Sequence, residues 1–185
     1  MMRAVAWTLA CCPALAVAAC TPVAGGTAPA PRQLTAQLYD AQGSPMGIAT
    51  LSETAGGVRL AVNAQGLAPG THGIHVHARG ACAPPDFASA GGHFNPTGRR
   101  HGLNNPGGPH AGDFPNLEAG ADGRAQYDVV TTGLALSGPG SLVADSAAIV
   151  IHAQRDYQVT DPSGTSGARI ACGVLTVGGG RRRVP

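Results

Sequence analysis

Thr71-His72-Gly73-Ile74-His75-Val76-His77 is the stretch on which the reading of this chain turns. The chain has seven histidines, and this stretch holds His72, His75 and His77. In a β-strand the side chains at i and i+2 share a face. His75 and His77 would then aim two imidazoles at one point, while Ile74 and Val76 turn the other way into a core. That arrangement suits a pair of metal ligands on a half-buried strand. It also suits a polar strand face that happens to hold two histidines, and the remaining histidines decide between the two. By the same parity His72 points away from His75 and His77, which predicts a satisfied core histidine and not a ligand.

Outward from this strand the pattern is of short alternating runs. Residues 33–40, 47–53 and 57–63 lie before it and 124–131, 147–153 and 169–177 after it, with Gly- and Pro-containing turns between. No amphipathic helix of useful length appears. Many short strands and no helices predict an all-β fold, an antiparallel Greek-key barrel or sandwich. Residues 78–117 hold no period and are rich in Gly, Pro and Asn. A loop of that length in a compact domain is functional or disordered. It carries His93, His101, His110 and Asp113, so we read it as a functional loop ordered by metal. Gly91 and Gly92 are expected to let backbone approach closely beside His93, and Arg99 and Arg100 to be exposed loop charges.

The 185 residues are enough for one domain with a sizeable core, placed here at 32–178. Charged residues make up only 12%, and the formal net charge of +2 is too small to suggest nucleic acid as a partner. All twelve basic residues are arginine, and Arg181, Arg182 and Arg183 fall in a tail, 179–185, expected to be disordered.

The N-terminus reads as an address. Arg3 is followed by an apolar run too short for a comfortable membrane span. The run ends in Val17-Ala18-Ala19-Cys20, which resembles the bacterial lipobox. On that resemblance residues 1–19 are a cleaved signal, Cys20 is lipid-modified, and residues 20–31 form a flexible Ala/Gly/Thr/Pro tether. The alternative is an ordinary secretory signal cleaved near Ala19. Either way the domain is exported to the periplasm or cell envelope. Cys82 and Cys172 then remain as a pair where a disulfide can persist, two buried free thiols being the other reading.

The ligand-type residues are His75, His77, His93, His101, His110, Asp113 and His152, spaced H-x-H-x15-H-x7-H-x8-H-x2-D-x38-H. Seven candidates suit two metals better than one. A set of six histidines and one carboxylate favours copper and zinc over calcium or magnesium, which prefer oxygen.

The motifs HGIHVH, AGGHFNP, the His101–His110–Asp113 loop, IVIHAQRD and GARIACGV closely resemble the copper–zinc superoxide dismutases over residues 33–177. The resemblance implies a Greek-key barrel with long metal-binding and active-site loops, and one copper and one zinc ion per chain. It places His75, His77, His93 and His152 on copper, and His93, His101, His110 and Asp113 on zinc, with His93 bridging. It makes Arg169 the guide for an anionic substrate and Asp156 a hydrogen-bonded link between a copper ligand and a zinc ligand. It implies a Cys82–Cys172 bridge. The implied reaction is dismutation of superoxide to oxygen and hydrogen peroxide, with His93 coupling proton and electron delivery. Sixteen residues separate His152 from Arg169, fewer than in animal cytosolic members, and charged guides beyond Arg169 have no clear counterpart. Bacterial members differ in subunit contacts, so a homodimer is one assembly compatible with the resemblance. A module that stores copper or zinc, and a non-catalytic structural lipoprotein, are the competing readings. Both are disfavoured because every ligand position and Arg169 are filled.

Overall fold

The computed structural model describes residues 32–142 and 146–178. The signal, Cys20, the tether and the C-terminal tail lie outside the described residues. Strands β1 (Gln33–Tyr39), β2 (Pro45–Thr54) and β3 (Gly57–Ala64) form a meander. Its first turn is held by Asp40 Oδ1, which accepts the N–H groups of Gln42 and Ser44. Its second is a two-residue hairpin between Thr54 and Gly57. The stretch that opened the sequence reading becomes β4 (Gly70–His72) and β5 (Ile74–His77). β6 (Leu117–Ala119), β7 (Ala125–Thr131), β8 (Ala148–His152), β9 (Arg169–Val174) and β10 (Thr176–Val177) follow. A single 3₁₀ turn at Ala88–Ala90 is the only helical element among the described residues.

The main sheet is antiparallel in the order β5-β8-β9-β1-β2-β3-β7, with β10 also on β1, and β4 pairs with β6. The meander is flanked by the non-sequential pairs β3–β7, β9–β1 and β5–β8, as in Greek-key connections. Because only Gly73 separates β4 from β5, the chain passes directly from β6 to β8 as its partner, which curls the sheet toward a barrel. Alternate residues fill the interior: Leu34, Ala36 and Leu38 of β1, Val58, Leu60 and Val62 of β3, with Ile74, Val76, Ile149 and Ile151. This alternation is the physical content of the period-two runs.

β8 is apolar at every position before His152 because both of its faces are covered. Ile149 and Ile151 join the main core. Ala148 and Val150 join a smaller cluster with Cys82, Phe87, Ala90 and Cys172. The Cys82–Cys172 disulfide sits in that cluster and spans a sequence separation of 90 residues. It fastens the start of the long loop to β9. Chain-entropy arguments give a bridge of this span an upper value of roughly 4–5 kcal/mol. The double variant Cys82→Ala/Cys172→Ala is therefore expected to lose about 2–5 kcal/mol in denaturant unfolding of the metal-free protein.

Three expectations need correction. The run 71–77 is not one strand, since β4 and β5 break at Gly73 and change partners. The run 169–177 is likewise divided at Leu175. β6 ends the long loop without a sequence signal, because three residues are too few to display a period.

Candidate metal centre

The register of β5 against β8 places the first ligands. His75 faces Val150 and His77 faces Ala148, so both histidines lie on the sheet face away from the main core. His152 is two residues beyond Val150 and shares that face. The long loop folds back over it. Val76 N–H donates to Gly112 O (2.9 Å) and Val76 O accepts Phe94 N–H (2.8 Å), so loop backbone closes the outer edge of β5. This brings His93 and Asp113 opposite His77 and His75.

Two ligand sets result. His75, His77, His93 and His152 form one, and His93, His101, His110 and Asp113 the other; within each, the ligand atoms lie within 4.8 Å of one another. His93 belongs to both. All seven residues named from the sequence are thus gathered into one centre.

The hydrogen bonds state which atom of each ring is free. His75 Nε2–H donates to Asp156 Oδ2 (2.7 Å), His77 Nδ1–H to Gly91 O (2.9 Å) and His152 Nδ1–H to Gly167 O (3.2 Å). His93 Nδ1 faces Asp113 Oδ1 (2.8 Å). That leaves His75 Nδ1, His77 Nε2, His93 Nε2 and His152 Nε2 buried with no partner. One orphaned buried nitrogen is costly; four that converge are ligands in search of an ion. Burial also keeps these rings neutral, as a ligand must be. It pushes His77 down to about 2, His75 to about 3 and His152 to about 4, and lowers His93 as well. Four imidazole nitrogens fit copper.

The second set is built around Asp113. Its Oδ1 lies 2.8 Å from His93 Nδ1, 3.1 Å from His101 Nδ1 and 3.2 Å from His110 Nδ1. Its Oδ2 is fixed by the N–H groups of Gly102 (2.8 Å) and His110 (3.0 Å). Three nitrogens and one carboxylate oxygen fit zinc. Burial opposes ionisation of Asp113, but bonds from His101 and His93 prevail and hold it well below the usual carboxylate range.

Asp156 joins the sets. Besides His75 it accepts His101 Nε2–H at 3.0 Å, as the sequence reading expected. His75, His101 and Asp156 also cluster as possible ligands, but the facing atoms are already paired with one another, so the trio is a strut and not a third site. His101 therefore lies between two carboxylates. Burial disfavours its charge, yet Asp113 and Asp156 outweigh this and raise it to about 9.

Arg169 donates through Nη1 to Phe87 O (2.6 Å) and through Nη2 to Gly91 O (2.7 Å). The Gly91 carbonyl also accepts the His77 Nδ1–H hydrogen bond, so the guanidinium is anchored one atom away from a ligand of the first set. Burial lowers the Arg169 pKa and Asp86 opposes that; guanidinium stays charged regardless. His72 is a satisfied core histidine as expected, its ring nitrogens 2.7 Å from His152 O and 2.8 Å from Ala68 O.

Two smaller expectations are amended. Gly91 does pack closely, against the Arg79 stem, but a Cβ on Gly92 would meet open space. Arg99 is exposed, yet its guanidinium is tied to Gly108 O and helps shape the loop. Three contributors carried no sequence signal. Asn116 exchanges two hydrogen bonds with the Asp156 backbone, Asp161 Oδ1 accepts His101 N–H (2.6 Å), and Gln158 donates its N–H to Asp156 Oδ1 (2.6 Å). Asn116 and Asp161 act across long sequence separations, and the Gln158 side chain reaches Phe114 O, 44 residues away, where spacing says nothing.

Comparison with known proteins agrees with this geometry. The family model "Copper/zinc superoxide dismutase (SODC)" matches residues 46–175. "Superoxide dismutase [Cu-Zn] 2" of Aquifex aeolicus is 44% identical over 144 residues, covering 76% of this chain and 84% of that protein. "Superoxide dismutase [Cu-Zn]" of Caulobacter vibrioides is 41% identical over 146 residues, covering 76% and 84%. Among solved structures, a double mutant of a SOD-like protein from Bacillus subtilis superposes with a TM-score of 0.74 at 44% identity, over 77% of this chain and 96% of that one. Cu/Zn superoxide dismutase from Brucella abortus gives 0.66 at 34% identity, over 77% and 98%. The fold, the paired ligand sets and these matches agree: the chain belongs to the copper/zinc superoxide dismutase family.

Proposed function

We propose that this protein is an exported superoxide dismutase that converts two superoxide ions and two protons to oxygen and hydrogen peroxide. The observation that carries the reading is the convergence of four partnerless buried nitrogens beside an anchored arginine. His75, His77, His93 and His152 would hold copper; His93, His101, His110 and Asp113 would hold zinc. Copper would supply the one-electron redox chemistry and zinc a fixed positive charge beside His93.

The chain's own residues do the rest. Arg169 places a permanent positive charge beside the first set, which draws in and orients a small anion. The carbonyls of Phe87 and Gly91 hold that charge in place. His93 presents Nε2 to the first set and Nδ1 to the second. With Nδ1 committed to the second set, Nε2 is the atom that can take up and return a proton. Asp156 fixes His75 and His101 from behind, which sets both tautomers.

Export and lipidation at Cys20 are part of the same proposal. They rest on Val17-Ala18-Ala19-Cys20, and the Cys82–Cys172 disulfide favours an oxidising compartment such as the periplasm. Membrane contact would come through that anchor, while residues 32–178 act as the enzyme, as a monomer or a homodimer.

Metal content and dismutation measured on one disulfide-bonded sample supplied with both ions test the reading. About one copper and one zinc per chain with rapid dismutation is the expected result. Stoichiometric copper without dismutation would instead indicate copper storage or transfer.

The charged state of His101 gives a second expectation. Zinc needs the Nδ1 lone pair, so a proton must leave when zinc binds. Below about pH 9 the metal-free ring carries that proton. Zinc affinity should therefore weaken as pH falls from 9 toward 6.5, by up to about tenfold per pH unit. Calorimetry at pH 7.5 in two buffers of different ionisation enthalpy should show about one proton released per zinc. Metal-free stability runs the other way: a raised histidine contributes fully below its ordinary value near 6.5, and the contribution is lost as pH rises through about 9.

A further inference from the structure

Gln158 is buried, and its backbone is left-handed at φ 64°. A non-glycine residue there carries backbone strain that the surroundings must outweigh. They do so through four hydrogen bonds. The Gln158 N–H donates to Asp156 Oδ1 (2.6 Å). Its Nε2 donates to Phe114 O (3.1 Å), on the residue after Asp113. Its Oε1 accepts Leu103 N–H (3.3 Å), two residues after His101, and its carbonyl accepts Asn104 N–H (2.9 Å). Gly102 makes the approach feasible, because a Cβ there would overlap the Gln158 carbonyl carbon and oxygen.

Each of these contacts adjoins a residue that sets the second ligand group. Phe114 is fully buried and fixes the chain after Asp113. Gly102 N–H is the donor that orients Asp113 Oδ2. Asp156 Oδ1 is the acceptor for His101 Nε2–H. The Gln158 side chain thus ties the loop between β8 and β9 to the loop that carries His101 and to the segment behind Asp113, while its backbone N–H holds Asp156.

We infer that Gln158 is the positioning residue for the zinc set, locking the loop between β8 and β9 to the loop that carries His101 and Asp113. The inference rests on the reading that His93, His101, His110 and Asp113 take zinc. Gln158 is not one of the ligands; its side chain acts through Leu103 and Phe114, neighbours of His101 and Asp113, and its backbone through Asp156. Of the copper set, His77 and His152 are held by Gly91 and Gly167, which Gln158 does not contact; His75 is held by the Asp156 carboxylate, which Gln158 meets only through its backbone N–H, a bond that a side-chain substitution keeps. Its removal should fall on zinc first.

The test uses the full chain with its disulfide intact, and Zn²⁺ titrated against a chromophoric chelator. Gln158→Leu keeps bulk but loses the amide bonds. Gln158→Gly relaxes the left-handed backbone and so guards against failure to fold. Both should weaken Zn²⁺ binding by about 10–100-fold, with Cu²⁺ affinity within about threefold of wild type. Co²⁺ in the same site should show an altered visible absorption band. Leu60→Ala, in the main core, should destabilise the fold while leaving Zn²⁺ affinity within about twofold. Variants that lose thermal stability but keep wild-type Zn²⁺ affinity and Co²⁺ spectrum would overturn the inference, as would an equal Zn²⁺ loss in Leu60→Ala. A wild-type chain that takes no Zn²⁺, or a His110→Ala variant that binds it as tightly, would instead overturn the zinc reading itself.

Discussion

His152→Ala is expected to lower dismutation by at least about a thousandfold while Zn²⁺ uptake stays within about twofold of wild type. The asymmetry follows from where the ring stands. His152 Nε2 belongs only to the copper set, and its Nδ1 is bonded to Gly167 O, away from His101, His110 and Asp113. The main chain at this position is held independently, through His152 N–H to Gly73 O (2.8 Å) and by the His72 ring against His152 O. The fold should therefore tolerate the change. Paired metal analysis and dismutation assays read both halves. Retained activity would mean that His152 is not needed for turnover.

The second large effect is expected from a residue that binds nothing. Gly164 has φ +66°, and a Cβ there would overlap the Asp156 carboxylate and lie 2.8 Å from His101 Nε2. Gly164→Ala must displace Asp156, and with it the bonds to His75 and His101. Zn²⁺ affinity should fall by about 10–100-fold, and the metal-free protein should lose roughly 2–4 kcal/mol. Gly43→Ala supplies the comparison. Its φ is +79°, but nothing lies within 4 Å of the added carbon. It should cost only about 1–2 kcal/mol of backbone strain and leave metal affinity unchanged. Chelator competition and denaturant unfolding on both variants separate strain from displacement of the strut.

The parts of this centre that were legible in the sequence are those governed by short-range rules. His75 and His77 sit two apart on a strand, and strand parity places them together and sends His72 elsewhere. The alternating runs 33–40 and 57–63 became β1 and β3 almost without change. His93, His101, His110, Asp113 and His152 were candidate ligands by residue type alone, and their division between copper and zinc came from a resemblance between motifs, because nothing local says which ion a loop histidine would hold. What stayed hidden was long-range or irregular. The break at Gly73 depends on β4 and β5 having different partners. Asn116, Gln158 and Gly164 matter through contacts 40 or more residues away for Asn116 with Asp156, 44 for Gln158 with Phe114, and a clash that only the folded loop creates. A polar residue in a loop has no period to read, so its role appears only once both loops are in place.

The outer edge of β5 carries a consequence for solubility. That strand ends the main sheet, and its outward backbone groups are taken up by the segments at Phe94 and Gly112 and not by another strand. Those segments flank His93 and Asp113, so ions bound there, together with the disulfide, would help keep the strand covered. A chain stripped of metal and reduced would loosen the cover and offer Ile74–His77 as an unpaired template for a second molecule. Metal loading would then guard against aggregation as well as equip the site for catalysis. Self-association, followed by light scattering, should rise when both ions and the disulfide are removed together.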